Sequence, residues 1–270
     1  LNGVGLWLLL SQSHLKRWKQ RMNPLEYKNF YDKVGKLNGW DFSQLRVVSE
    51  GKQWDFYSEV ARRCKKSDLL LDIGTGGGER LLSISESALL LVGIDNSNGM
   101  VQTAAANLYK SRKSNVRFLQ MDAANLEFPA NFFNMVTCQH SPFCSEEVAK
   151  VLVQEGWFLT QQVCNNDKFN IKQAFGRGQQ FGADEGILKD KYLSELARAG
   201  FTEIQFYEYD AAEYYESYED LVFLLKYTPI IPDFGASDDD FNILRKFIAD
   251  NQTAQGIRTN SNRFMIIARK

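Results

Sequence analysis

Three carboxylates that each close an apolar run, Asp72, Asp95 and Asp122, and the glycines Gly74, Gly76 and Gly78 beside the first are the residues of this chain best suited to chemistry. Glycines so spaced remove side chains where a backbone must turn through positive φ or approach a ligand. A carboxylate about 20 residues beyond such a turn can accept both hydroxyls of a ribose. Together these residues point to a nucleoside-bearing ligand.

Four strands must present them. Leu69-Leu70-Leu71 running into Asp72-Ile73-Gly74 reads as a short strand buried on both faces, with Glu79–Ser87 as the helix that follows. Leu89–Asp95, Val116–Asp122 and Phe132–His140 repeat the pattern of an apolar run ending in a polar or acidic group. A dinucleotide turn, G-x-G-x-x-G, needs glycine at position 79, where this chain has Glu79.

The G-x-G-x-G turn preceded by Asp72, with Asp95-Asn96-Ser97-Asn98-Gly99-Met100 as a D-x-S-x-x-M segment, resembles the class I S-adenosylmethionine-dependent methyltransferases. The motifs cover Asp68–His140; from there to Lys270 only the order of elements agrees. The resemblance implies an α/β fold: a seven-stranded Rossmann-like sheet with helices on both faces, a helical N-terminal extension and a helical insert between the last two strands. It implies S-adenosyl-L-methionine as cofactor, held by Asp72, Gly74, Thr75, Gly76, Gly78, Asp95, Asn96, Ser97, Met100, Asp122, Ala123 and Gln139. In that scheme Asp95 takes the ribose, Met100 packs on adenine, Asp122 receives its amino group and the Ala123 amide meets a ring nitrogen. Read without the family, Ser97 is an N-cap and Met100 fills core.

Composition narrows the partners. The chain has 270 residues, 44% of them hydrophobic, and a net charge of −1. That suits one substantial core and gives no global footprint for nucleic acid or an anionic membrane. Residues 1–66 carry 13 Lys/Arg against 6 Asp/Glu, with much of the excess in residues 1–21. That stretch is expected to be a basic leader outside the fold; its apolar run is too short for a membrane span and precedes its basic residues, the reverse of a secretory signal. Cys64, Cys138, Cys144 and Cys164 lack C-x-x-C spacing and only His14 and His140 supply imidazole, so no structural zinc is expected and a reducing cytoplasm is.

Residues 22–66 read as a helical cap, with helices around Leu25–Val34, Phe42–Ser49 and Trp54–Lys66, and 67–270 as the cofactor-binding domain. Helices at Glu146–Glu155 and Leu188–Ala199 precede strands at Trp157–Val163 and Thr202–Tyr209, and Phe264–Ala268 is the last strand. The insert of about 50 residues between the last two strands exceeds an ordinary loop, its helical part lying at 217–258. Candidate acceptor contacts are Tyr27, Tyr31, His140, Phe143 and Tyr214, with Phe30, Trp40, Tyr207, Tyr209, Asp210, Glu213, Tyr215 and Arg177 as further possibilities. His140, after the fourth strand, is the candidate base. The expected activity is methyl transfer to a small molecule. RNA or protein methylation, cofactor binding without transfer and, last, a nicotinamide oxidoreductase remain as alternatives.

Overall fold

The computed structural model describes residues 23–184 and 186–270; the expected leader, 1–21, lies outside the described residues. The strands are β1 (Val47–Glu50), β2 (Leu69–Ile73), β3 (Leu90–Asp95), β4 (Val116–Gln120), β5 (Phe133–Gln139), β6 (Leu152–Val163), β7 (Thr202–Tyr215), β8 (Gln252–Thr253) and β9 (Gly256–Arg269). They form one sheet in the order β1-β7-β9-β6-β5-β2-β3-β4, with the two-residue β8 paired to β9. β4, β3, β2, β5 and β6 are mutually parallel, whereas β9, β7 and β1 pair antiparallel. The seven expected strands are β2–β7 and β9; β1 and β8 are additions to the same α/β class.

Alternation along the strands divides the core. Leu70, Leu91, Met135, Leu159 and Ile267 point to one face, where they meet α2 (Phe56–Arg63) and α3 (Glu79–Ser83) through Phe56, Val60 and Leu81. Leu71, Val92, Val136, Phe158 and Ile266 point to the other, where α5 (Ser145–Val151) and α7 (Ile187–Arg198) contribute Val148, Val151, Tyr192 and Leu196. That period of two, with burial on both sides, is why the strands read as unbroken apolar runs. The insert helices α8 (Tyr218–Tyr227) and α9 (Asp238–Asn251) join α6 (Phe169–Phe175) around a smaller cluster that includes Leu221, Leu225, Leu244 and Phe247. Ile230 and Ile231 are buried there, so the Tyr227–Phe234 segment packs inward. No helix among the described residues is long and apolar enough to cross a membrane.

The N-terminal extension differs from expectation. α1 (Pro24–Asn38) starts at a capping box in which Asn23 and Glu26 satisfy each other's backbone N–H groups. Residues 42–49 form no helix: Val47-Val48 enter β1 and pair with Tyr215 and Tyr214 of β7, a use that suits β-branched side chains. Arg46 secures this strand to the insert through Glu216 (2.6 Å) and Asp220 (3.2 Å). The helix expected to reach Glu155 ends at Val151, because the chain enters β6 at Leu152.

α1 lies on α4 (Asn98–Ser111) at a contact that tolerates no side chain. A Cβ on Gly35 would stand 2.5 Å from the Met100 nitrogen, and one on Gly99 would strike the Asp32 carbonyl. Around this contact the Asp32 carboxylate accepts from Ser97 Oγ (2.7 Å) and Gly99 N (3.2 Å), and Thr103 Oγ1 donates to Gly35 O (2.7 Å). Gly35→Ala should therefore push α1 off α4 and cost about 1–3 kcal/mol by overpacking. Urea denaturation checks this; an unchanged midpoint would show that the helices part without strain.

Candidate active site

The glycine turn closes β2. Gly74, Gly76 and Gly78 all adopt positive φ (70°, 59° and 77°), and a Cβ on Gly78 would enter the Phe118 ring. Beneath it Asp72 is fully buried, accepting from Thr137 Oγ1 (2.7 Å) and from the Tyr57 hydroxyl (3.1 and 3.2 Å). Burial pushes its pKa up to about 6 although those hydroxyls pull it down. Asp72 thus anchors the floor of the site from below.

Asp95 ends β3 facing the turn. Its Oδ2 accepts from Gly76 N (3.0 Å) and its Oδ1 from Ser97 N (2.9 Å), so one carboxylate ties the glycine turn to the start of α4. Burial raises its pKa against those two donors. Each oxygen keeps a free lone pair, the pair of acceptors a vicinal diol requires. Ser97 caps α4 through Met100 N (3.1 Å), as its place in sequence predicts. Asp122 is exposed, with Oδ1 held by Ala124 N (2.9 Å); Asn96 is exposed and Ala123 and Gln139 half-buried. Thr75 is buried beneath the turn, and Met100 at 1% exposure is packed under α1.

Tyr27 and Tyr31 belong to this end of the site. Tyr31 packs edge-on to Trp40 (5.7 Å), Trp40 lies against Gly76, and burial, then Tyr27 and Asp95, raise the Tyr31 pKa. The ring series continues through Phe42 to Phe223 on α8, joining the cap to the insert.

A separate cavity of about 180 Å³ opens past the ends of β5 and β6, and it contains His140 and Gln139. His140 has φ +56°, an uncommon conformation for a residue with a side chain. Its tautomer follows from its neighbours. Trp54 Nε1, a donor only, bonds Gln161 Oε1 (2.7 Å), so Gln161 Nε2 is the donor to His140 Nε2 (2.9 Å). The His140 proton is therefore on Nδ1. Burial, with Arg263 and Lys168 nearby, pushes its pKa down to about 3. His140 is a neutral donor with its lone pair engaged, which removes the base role for which its position made it a candidate.

Two acceptor candidates are corrected. Phe143 is buried in the core, stacked on Tyr192 at 4.4 Å, on the sheet face away from Tyr57. Tyr214 is displaced by alternation along β7: Tyr209, Ala211 and Glu213 line the cavity, and Tyr214 points to the opposite face. Arg177 pairs with Asp240 (2.6 Å) and serves the insert's packing. The cavity also draws on residues that went unnoticed in sequence. Arg80 follows the glycine turn by two positions, and Gln161 and Arg263 lie in strands that read as apolar.

Residues 70–156 match a family model described as a methyltransferase domain. The uncharacterized methyltransferase YcgJ of Bacillus subtilis is 32% identical over 121 residues, covering 42% of this chain and 47% of that protein. Demethylmenaquinone methyltransferase of Lactococcus lactis is 30% identical over 104 residues, covering 36% of this chain and 41% of that protein. The chain thus spans less than half the length of either curated relative. The crystal structure of YcgJ superposes with a TM-score of 0.57 at 18% identity, covering 79% of this chain and 97% of that one. The [4+2]-cyclase SpnF superposes with a TM-score of 0.55 at 19% identity, covering 91% and 95%. At such identities structural likeness shows the fold alone, and the methyltransferase-domain match is to residues 70–156.

The His140 environment predicts an acid response. Below about pH 6.5 the unfolded chain takes up a proton that the folded imidazole refuses until about pH 3, so this residue's contribution to stability falls as pH drops through that window. Between pH 7 and 5 the loss is about 1–2 kcal/mol. Urea unfolding at both pH values should show a smaller loss for His140→Gln than for the parent; equal losses would mean His140 protonates freely in the folded state.

Proposed function

We propose that this chain is an S-adenosylmethionine-dependent methyltransferase acting on a small-molecule acceptor. The observation that carries the reading is the Asp95 carboxylate, fixed by Gly76 N and Ser97 N with one lone pair free on each oxygen beside the glycine turn. The other residues fit the same ligand. Asp122 and Ala123 lie beyond β4, where adenine would be received, and the Gln139 carboxamide, without a hydrogen bond among the described residues, lies where β5 ends. Asn96, Thr75 and Ser97 complete the proposed set. Buried Met100 supports the site by packing under α1.

When bound, S-adenosylmethionine supplies a methyl group activated on a sulfonium. The protein's part is to hold an acceptor in line with it and to exclude water, and proximity with orientation can provide much of the acceleration. The cavity beside Gln139 has a volume suited to a small acceptor. Its walls come from Ser49–Tyr57 and the upper halves of β7 and β9. Acceptor choice is therefore assigned to the second half of the N-terminal cap and to those strands; α8 and α9 brace them from behind. Four unpaired cysteines fit a cytoplasmic setting, which is proposed on that ground.

Isothermal calorimetry tests the cofactor. S-adenosylhomocysteine should bind more tightly than NADH, and Asp95→Ala should weaken it by about 1.5–3 kcal/mol through loss of charge-assisted bonds. Unchanged affinity in folded Asp95→Ala protein, or preference for NADH, would sink the reading.

A further inference from the structure

The cavity beside His140 is backed by a buried ionic cluster with more cations than anions. Asp167 is 2% exposed and takes a charged hydrogen bond from Arg263 Nη1 as well as Asn262 N (3.1 Å). Lys168, also 2% exposed, donates to Glu213 Oε2 (2.6 Å) and to Asn260 O (2.8 Å), and the Tyr215 hydroxyl donates to the same Glu213 oxygen (2.8 Å). Lys172 is buried within electrostatic reach of Asp167, its one hydrogen bond among the described residues being to Asn165 O (3.2 Å). Three cations thus face two carboxylates. Burial lowers the Lys172 pKa to about 8 although Asp167 opposes the shift.

On the cavity side the exposed valences are mostly donors. Arg263 spends Nη1 on Asp167 and on Asn262 O, and its other N–H groups have no hydrogen-bond partner among the described residues. Arg80 makes neither a hydrogen bond through its guanidinium nor an ion pair among those residues. The tautomer imposed through Trp54 and Gln161 leaves His140 with Nδ1–H to give. The facing carboxylates are committed: Glu213 to Lys168 and Tyr215, and Asp55 to capping α2 through Ser58 N (3.0 Å). A donor-rich, net-positive wall of this kind calls for a ligand rich in acceptors.

We propose that this cavity binds the methyl acceptor as a small carboxylate, with the Arg263 and Arg80 guanidinium groups supplying the charge and His140 Nδ1–H a neutral hydrogen bond. The proposal rests on the methyltransferase reading above and narrows its substrate class. A cavity of about 180 Å³ suits a short acid. The lining groups also provide no base for a neutral acceptor. Burial raises the Tyr57 and Tyr209 hydroxyls, while Asp55 and Glu213 are held low because their hydrogen-bond and ionic partners outweigh burial. An acceptor that arrives ionised needs none.

Calorimetry on the full chain saturated with S-adenosylhomocysteine tests the site with malonate, succinate, glutarate and benzoate, each beside its amide. At least one acid should bind below 1 mM and its amide at least tenfold more weakly. Arg263→Gln should weaken the acid tenfold or more while S-adenosylhomocysteine still binds. Because Arg263→Gln strands Asp167 and can cost the fold, Arg80→Gln, on an exposed side chain, is the second variant and should weaken the acid at least threefold. Acids and amides binding alike, no acid binding below 10 mM, or affinity unmoved in Arg80→Gln overturns the proposal. So does displacement of the acid by S-adenosylhomocysteine, since the cations would then serve the cofactor's own carboxylate. Failure of S-adenosylhomocysteine to bind the parent chain would instead remove the methyltransferase reading.

Discussion

The Asp95 carboxylate is the joint of this structure. Its two oxygens hold the backbone of the glycine turn and the first turn of α4, so the end of β3 fixes two segments that would otherwise move independently. Ser97, one of those two partners, passes the constraint on to Asp32 of α1. A half-buried carboxylate needs such donors, and here they belong to the backbone, which cannot rotate away. Glycine turn, helix start and cap therefore share one registration point.

The glycine turn and the acidic strand ends were legible in the sequence because their information is local. An apolar run buried on both faces, an acid where the strand stops and glycine where the chain must turn are each written in adjacent residues. The acceptor half depends on which face a side chain takes, and that is set by pairing far along the chain. Tyr214 and Glu213 are neighbours in sequence, yet the β7–β9 register sends one to the cavity and the other away from it. Phe143 looks like a site residue beside His140 until Tyr192 of α7 is seen to stack on it. Residues 42–49 carry a helical pattern, and only the open edge of β7 makes a strand the better use of Val47 and Val48.

His140 shows the same limit in its chemistry. An imidazole after the fourth strand suggests proton transfer, and the residues that decide otherwise are Trp54, Gln161, Arg263 and Lys168, spread over more than 200 positions. A donor-only indole sets the orientation of an amide, the amide sets the tautomer, and burial, with Arg263 and Lys168 adding to it, keeps the ring neutral. Residue type names the functional group; its surroundings choose the proton.

The pairing of β1 with β7 bears on how the chain is made. Val47 lies opposite Tyr215, so an early segment finds its partner only after most of the polypeptide has been synthesised. During elongation at ~5–20 residues per second, Val47-Val48 must wait on the order of ten seconds or more without a hydrogen-bonded neighbour. Contacts this distant in sequence also slow folding. At the ribosome Val47-Val48 therefore present an open β edge until β7 has emerged.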